Sequence, residues 1–167
     1  SHWVSTSLPY LARVHGDVAV HGYGPVTFSM PVLSEVGGPF QIREADYTSI
    51  DLSSLGSIDG YFSIETGAAG TDVALNSLVS AEEVSIAVHS LSSLDMSALS
   101  STNSLSLQDY NFGYGGDIDD ISGVSSINIS SLSSLESLNI DVQAGASSSL
   151  NLSGLESVSD EISIRVR

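Results

Sequence analysis

Residues Ile50 to Ile64 read Ile-Asp-Leu-Ser-Ser-Leu-Gly-Ser-Ile-Asp-Gly-Tyr-Phe-Ser-Ile. Two apolar-x-apolar triplets, Ile50-Asp51-Leu52 and Phe62-Ser63-Ile64, flank a segment that carries Leu55, Ile58 and an Asp59-Gly60 turn. Alternation of this kind is what a strand with one buried face requires, because successive side chains point to opposite sides of a sheet. The unit then recurs along the chain, so it describes an architecture and not a local accident.

One series of triplets runs Val18/Val20, Phe40/Ile42, Phe62/Ile64, Val84/Ile86, Leu105/Leu107, Leu138/Ile140 and Ile162/Ile164. A second runs Phe28/Met30, Ile50/Leu52, Val73/Leu75, Leu94/Met96, Ile127/Ile129 and Leu150/Leu152, preceded by the weaker Thr6/Leu8. Three residues after each second triplet comes a leucine, and three further on another apolar or small residue, as in Leu33/Val36, Leu55/Ile58 and Leu132/Leu135. Each rung of about 22 residues thus has three inward-facing segments. Its six or so inward side chains contribute about 1.5–3 kcal/mol each, against about 1–2 kcal/mol per residue of backbone ordering. A lone rung does not fold; stacked rungs share one core. The period, the short strands and the Ser-rich corners predict a single all-β solenoid over residues 1–167, a parallel β-helix of about seven rungs.

The phrases Leu52-Ser53-Ser54-Leu55-Gly56-Ser57-Ile58, Ile58-Asp59-Gly60-Tyr61-Phe62-Ser63-Ile64 and Val36-Gly37-Gly38-Pro39-Phe40-Gln41-Ile42 resemble the leucine-rich β-helix repeats of the receptor L-domain superfamily. That grouping includes microbial and fungal cell-surface proteins, and the resemblance covers about Leu8 to Ile164. It implies a right-handed parallel β-helix at an extracellular or cell-surface location, used for binding or for wall architecture. The sequence departs from the receptor members in lacking cysteine-rich flanking modules, and from the fungal ones in lacking a hydrophobic anchor signal.

Net charge is −16, all four cations are arginines (Arg13, Arg43, Arg165, Arg167), and every formal charge from Glu44 to Ile164 is negative. Such a surface repels phosphate backbones and anionic lipid, which argues against nucleic-acid and membrane partners. No apolar run is long enough to span a bilayer, and the absence of cysteine removes disulfides and thiol ligands. Catalysis is not expected either: His2, His15, His21 and His89 show no metal-ligand spacing, no nucleophile elbow occurs, and the adjacent Asp119 and Asp120 have no cation near them in sequence.

Function is expected where the chain leaves its template. Leu105 and Ile127 are 22 residues apart where other rungs use about 10 to 12, placing an insertion at about 108–121. Its Asp109, Tyr110, Asn111, Phe112 and Tyr114 form a candidate loop for a protein or glycan ligand. No cofactor is expected, though Asp109, Asp117, Asp119 and Asp120 carry a secondary calcium reading. Asn128 and Asn151 begin glycosylation sequons in neighbouring rungs, at a place where the repeat itself writes Asp or Asn, apolar, Ser. At the two ends, Trp3 and Val4 read as a thin cap and Ile162, Ile164, Arg165, Val166 and Arg167 as an uncapped strand, so that either the sequence is a slice of a longer protein or a neighbouring molecule covers the open edges. Solenoids need polar caps, so the leading expectation is an extracellular structural protein that self-assembles through its ends into a fibre or layer, head-to-tail or overlapping. Arg165 and Arg167 would suit the acidic middle of another copy. An adhesin or receptor module acting through the loop is the alternative. Ice binding is a weaker third reading, because the outward rows hold no regular threonine array.

Overall fold

A computed structural model describes residues 5–22, 25–67, 71–88, 91, 93–109 and 124–166. All regular structure among them is strand, and no helix there is long and apolar enough to cross a membrane. The strands coil into a parallel β-solenoid with three faces. The first face stacks β3 (Val18–His21), the start of β6 (Phe40–Asp51), β8 (Tyr61–Thr66), β10 (Glu83–Val88), β12 (Ser104–Asp109), β14 (Ser134–Val142) and β16 (Ser157–Val166). The second stacks β1 (Ser5–Ser7), β4 (Pro25–Ser29), the end of β6, β9 (Asp72–Ala74), β11 (Ser93–Asp95), β13 (Val124–Asn128) and β15 (Ala144–Asn151). Among the described residues each of these two faces stacks seven strands, which enclose six full turns of the coil.

The third face is narrower. It consists of β2 (Arg13–Val14), β5 (Glu35–Val36) and β7 (Ser57–Ile58), and continues through single bridges from Ser57 to Ser80 and from Ser80 to Ser101. Farther on, β14 and β16 bend round the corner and pair Ser134 with Ser157 and Leu135 with Val158. β6 likewise runs unbroken round another corner, where the sequence pattern implies two separate strands.

The registers match the triplet series row by row. Val18 lies beside Phe40, Phe40 beside Phe62, Phe62 beside Val84, Val84 beside Leu105, and so on to Ile162. On the second face Phe28, Ile50, Val73, Leu94, Ile127 and Leu150 do the same. These rows are the core: Phe40, Ile42, Phe62, Leu55, Leu75 and Leu138 are fully buried. The Phe40 and Phe62 rings sit 5.4 Å apart, tilted by 33°.

The leucine that follows each second triplet has a local cause. In seven successive rungs its N–H bonds the carbonyl three residues back, as Leu33 does to Met30 and Leu132 to Ile129. That tight corner aims the leucine inward. Glycine is required where adjacent rungs touch: a Cβ on Gly154 would collide with the Ser130 carbonyl oxygen, and one on Gly37 would stand 2.7 Å from the His15 carbonyl oxygen. Thr102, 5 % exposed in an otherwise apolar inward row, stays compatible with burial because its hydroxyl reaches the Ser104 and Glu82 carbonyls at 3.0 and 3.3 Å.

Burial this complete gives a sharp contrast along a single triplet. Phe62→Ala should cost about 3–5 kcal/mol of unfolding free energy, while Ser63→Ala beside it should stay within about 0.5 kcal/mol. Chemical denaturation of the two variants measures the difference.

Candidate functional site

The insertion is grafted without disturbing the coil. Partners across it are 33 residues apart in sequence, yet Leu105 still faces Leu138, and Leu94 still faces Ile127. Its start needs correction. Gln108 and Asp109 belong to β12, where parallel pairing with β10 extends through Ala87–Gln108 and Val88–Asp109, so the insertion starts after Asp109. Asp109 is therefore held in a ladder by its backbone. Tyr110, Asn111, Phe112, Tyr114, Asp117, Asp119 and Asp120 lie outside the described residues, and with them most of the loop and calcium readings. Among the described residues no three His, Asp or Glu side chains converge as a metal site would require. His15 and His21 are exposed; His2 and His89 fall outside the described residues.

Both sequon asparagines sit in one outward row of the second face. Asn128 donates from Nδ2 to Asp95 Oδ1 at 3.3 Å, and Asn151 donates from Nδ2 to Asn128 Oδ1 at 3.1 Å. Further up the same row, Ser29 Oγ donates to Asp51 Oδ2 at 3.4 Å. The recurrent Asp or Asn also holds its own corner: Ser53 N donates to Asp51 Oδ1, Ser97 N to Asp95 Oδ1 and Ser153 N to Asn151 Oδ1, at 3.0–3.1 Å. An Asx side chain that bonds the backbone two residues on is a standard way of making a turn. The motif that resembles a sequon thus has a structural reason to recur, and both amide nitrogens are engaged within the row.

The last described rung exposes rows that are buried in the interior rungs. Ile162 is 58 % exposed, Ile164 44 % and Val166 53 %. Leu150, Leu152, Leu155 and Val158 are half-buried. At the opposite end Leu8 is 42 % exposed, and Leu11, Val14 and Val20 are half-buried. Trp3, Val4 and Arg167 lie outside the described residues. Arg165 is used within its own coil, bonding Asp141 Oδ2 at 3.1 Å, with its side chain still 65 % exposed. Arg13 pairs with Glu35 at 3.3 Å in the same rung-to-rung manner.

One feature escaped the sequence pattern: Tyr10, 94 % exposed, stands at a corner one rung from the 43 %-exposed Val32, and the dipeptides Pro9-Tyr10 and Pro31-Val32, 22 residues apart, were the available signal. The outward row through Asp51, Asp95, Asn128 and Asn151 was legible in the repeat; the side-chain bonds that run along it were not.

No protein-family model matches the chain, and no curated protein or solved structure matches it either.

The Asn/Asp row can be tested directly. Asn128→Asp replaces an amide donor by a carboxylate facing Asp95, and like charges in directly opposed strand positions destabilise by up to about 1 kcal/mol. Facing acids favour the protonated form, so the loss should be full at neutral pH and shrink as pH falls into the carboxylate range. A denaturation series over pH reads this out, with Asn128→Ser as the uncharged control.

Proposed function

We propose that the chain is a non-enzymatic structural module of an extracellular or cell-surface protein, which self-assembles through the ends of its solenoid into a fibre or surface layer. The observation that carries this reading is the last described rung. Its outer strand β16 pairs only with β14 among the described residues, and it presents Ile162, Ile164 and Val166 to solvent. A row of exposed apolar side chains along a free strand edge is a template for another strand. The remaining surface supports the same reading, because its outward rows are short polar residues bonded to one another, as in Ser137 Oγ to Ser104 Oγ at 2.9 Å. Such rows bury little of a ligand. Resemblance of the repeat to receptor L-domain sequences supports the cell-surface location.

A second reading has its own observation. The coil keeps its register on both sides of residues 110–123. An adhesin or receptor module would carry its protein or glycan specificity there.

The two readings separate in one experiment. Ile164→Asp puts a charge into the exposed apolar row and should abolish assembly, while replacing residues 110–123 by a short Gly-Ser linker should leave assembly intact. Negative-stain micrographs and sedimentation velocity of both variants are the measurement. Monomers of the unaltered chain at all concentrations, with no fibre or layer, would remove the assembly reading.

A further inference from the structure

The segment Glu161-Ile162-Ser163-Ile164-Arg165 within β16 is symmetric about Ser163 in polarity and antisymmetric in charge. We propose that it forms an isologous contact: β16 of one copy pairs antiparallel with β16 of a second copy, about a two-fold axis through Ser163. The inference rests on the reading of the last rung as an assembly contact, and it specifies the partner surface and its direction.

Electrostatics decides between this arrangement and a head-to-tail one. Ile162 belongs to the same row as Val18 and Phe40, so a second copy stacked head-to-tail would add its Val18 beside Ile162. Asp17 would then stand opposite Glu161. His21, whose own neighbour is Arg43, would stand opposite Arg165. Two acids meet, and a cation meets a site already flanked by another cation. Antiparallel pairing about Ser163 instead sets Glu161 opposite the second copy's Arg165, twice by symmetry, with Ile162 opposite Ile164 on the inward side. Opposite charges in directly facing strand positions stabilise, and like charges destabilise.

The apolar surfaces also agree with the two-fold. An axis through the first face maps that face onto itself and exchanges the other two. Leu150 and Leu152, at the end of the second face, then meet Leu155 and Val158, at the end of the third. All four are half-buried in the single chain. Arg165 keeps its bond to Asp141 and takes a second carboxylate on its free side, which its 65 % side-chain exposure leaves open. A contact in which each copy offers the same patch closes on itself, so growth beyond a pair passes through other surfaces, the opposite end of the coil first.

The chain has no cysteine, which makes a disulfide trap clean. Residues directly opposite in an antiparallel pair have Cβ atoms about 4.5–5.5 Å apart, close enough for a disulfide after small adjustments. Ser163→Cys should give a covalent dimer on mild oxidation, seen on a non-reducing gel. In parallel, sedimentation equilibrium should show Glu161→Arg weakening the pair by about tenfold or more, and Glu161→Arg with Arg165→Glu together restoring much of it, because each contact holds both residues. Circular dichroism confirms that each variant keeps its strand signal. If Ser163→Cys alone stays monomeric while Ala19→Cys with Ser163→Cys cross-links into a series of higher species, the two-fold is wrong and end-to-end assembly survives as head-to-tail. Tighter association of Glu161→Arg would overturn the two-fold in the same way. If every form stays monomeric and uncross-linked, both the two-fold and the assembly reading fall.

Discussion

Everything in this fold depends on one constraint: a residue can occupy an inward row only if it packs against the same row in the rungs above and below. Parallel, in-register pairing lays Phe40 on Phe62 and Ile42 on Ile64, so each rung's core is completed by its neighbours. Rung lengths vary, and the register absorbs the difference at the corners. Bulges fall between Ile42 and Ala45, between Leu135 and Ser137, and between Val124 and Ser126. Each lies beside a corner, where a displaced residue reaches solvent and not the core. The insertion after Asp109 is the extreme case of the same tolerance.

Outward positions obey a different rule. Neighbouring rungs lie about 4.7–4.9 Å apart, too close for long like-charged side chains to face one another. Short side chains that bond up and down the stack fit best: Ser106 accepts from Asn139 and Gln108, and Asn128 bridges Asp95 and Asn151. This explains how a chain of net charge −16 tolerates its own stacking, since among these rows the carboxylates are interleaved with amides and hydroxyls. It also means that several outward polar groups, Asn128, Asn151 and Asn139 among them, bond within their own rows.

The rows were legible in the sequence because a repeat writes the same constraint many times over. Phe62, Val84 and Leu105 differ as residues but hold the same phase, and phase is what places them. Edges were less legible, because where a strand stops depends on its partners: Gln108 and Asp109 look like the start of a polar loop, and pairing with β10, and for Gln108 also with β14, makes them strand. The Arg165–Asp141 pair spans 24 residues and emerges once the rungs are aligned. The Asx corners were visible as a recurring Asp or Asn, apolar, Ser, yet the same letters spell a sequon, so composition and structure gave one signal two meanings.

In the proposed assembly, apolar rows bring a second copy to the last described rung but give it no direction, because a ladder of Ile, Leu and Val accepts another such ladder whichever way it runs. Direction has to come from side chains that flank the rows, and in the interior rungs these do not form an acid–cation pair: Tyr61 stands with Glu65, Glu83 with Ala87, Ser104 with Gln108 and Ser137 with Asp141. At β16 they do. Glu161 and Arg165 bracket Ile162-Ser163-Ile164, at a place where interior rungs carry Glu83 and Ala87 or Ser104 and Gln108. Both groups are exposed in the last described rung, where a charge pair costs the coil little and, in the proposed assembly, favours one approach over the other. In the proposed assembly the information that selects its direction is thus concentrated in two residues of opposite sign, set on either side of an apolar pair whose counterparts are buried in the interior rungs.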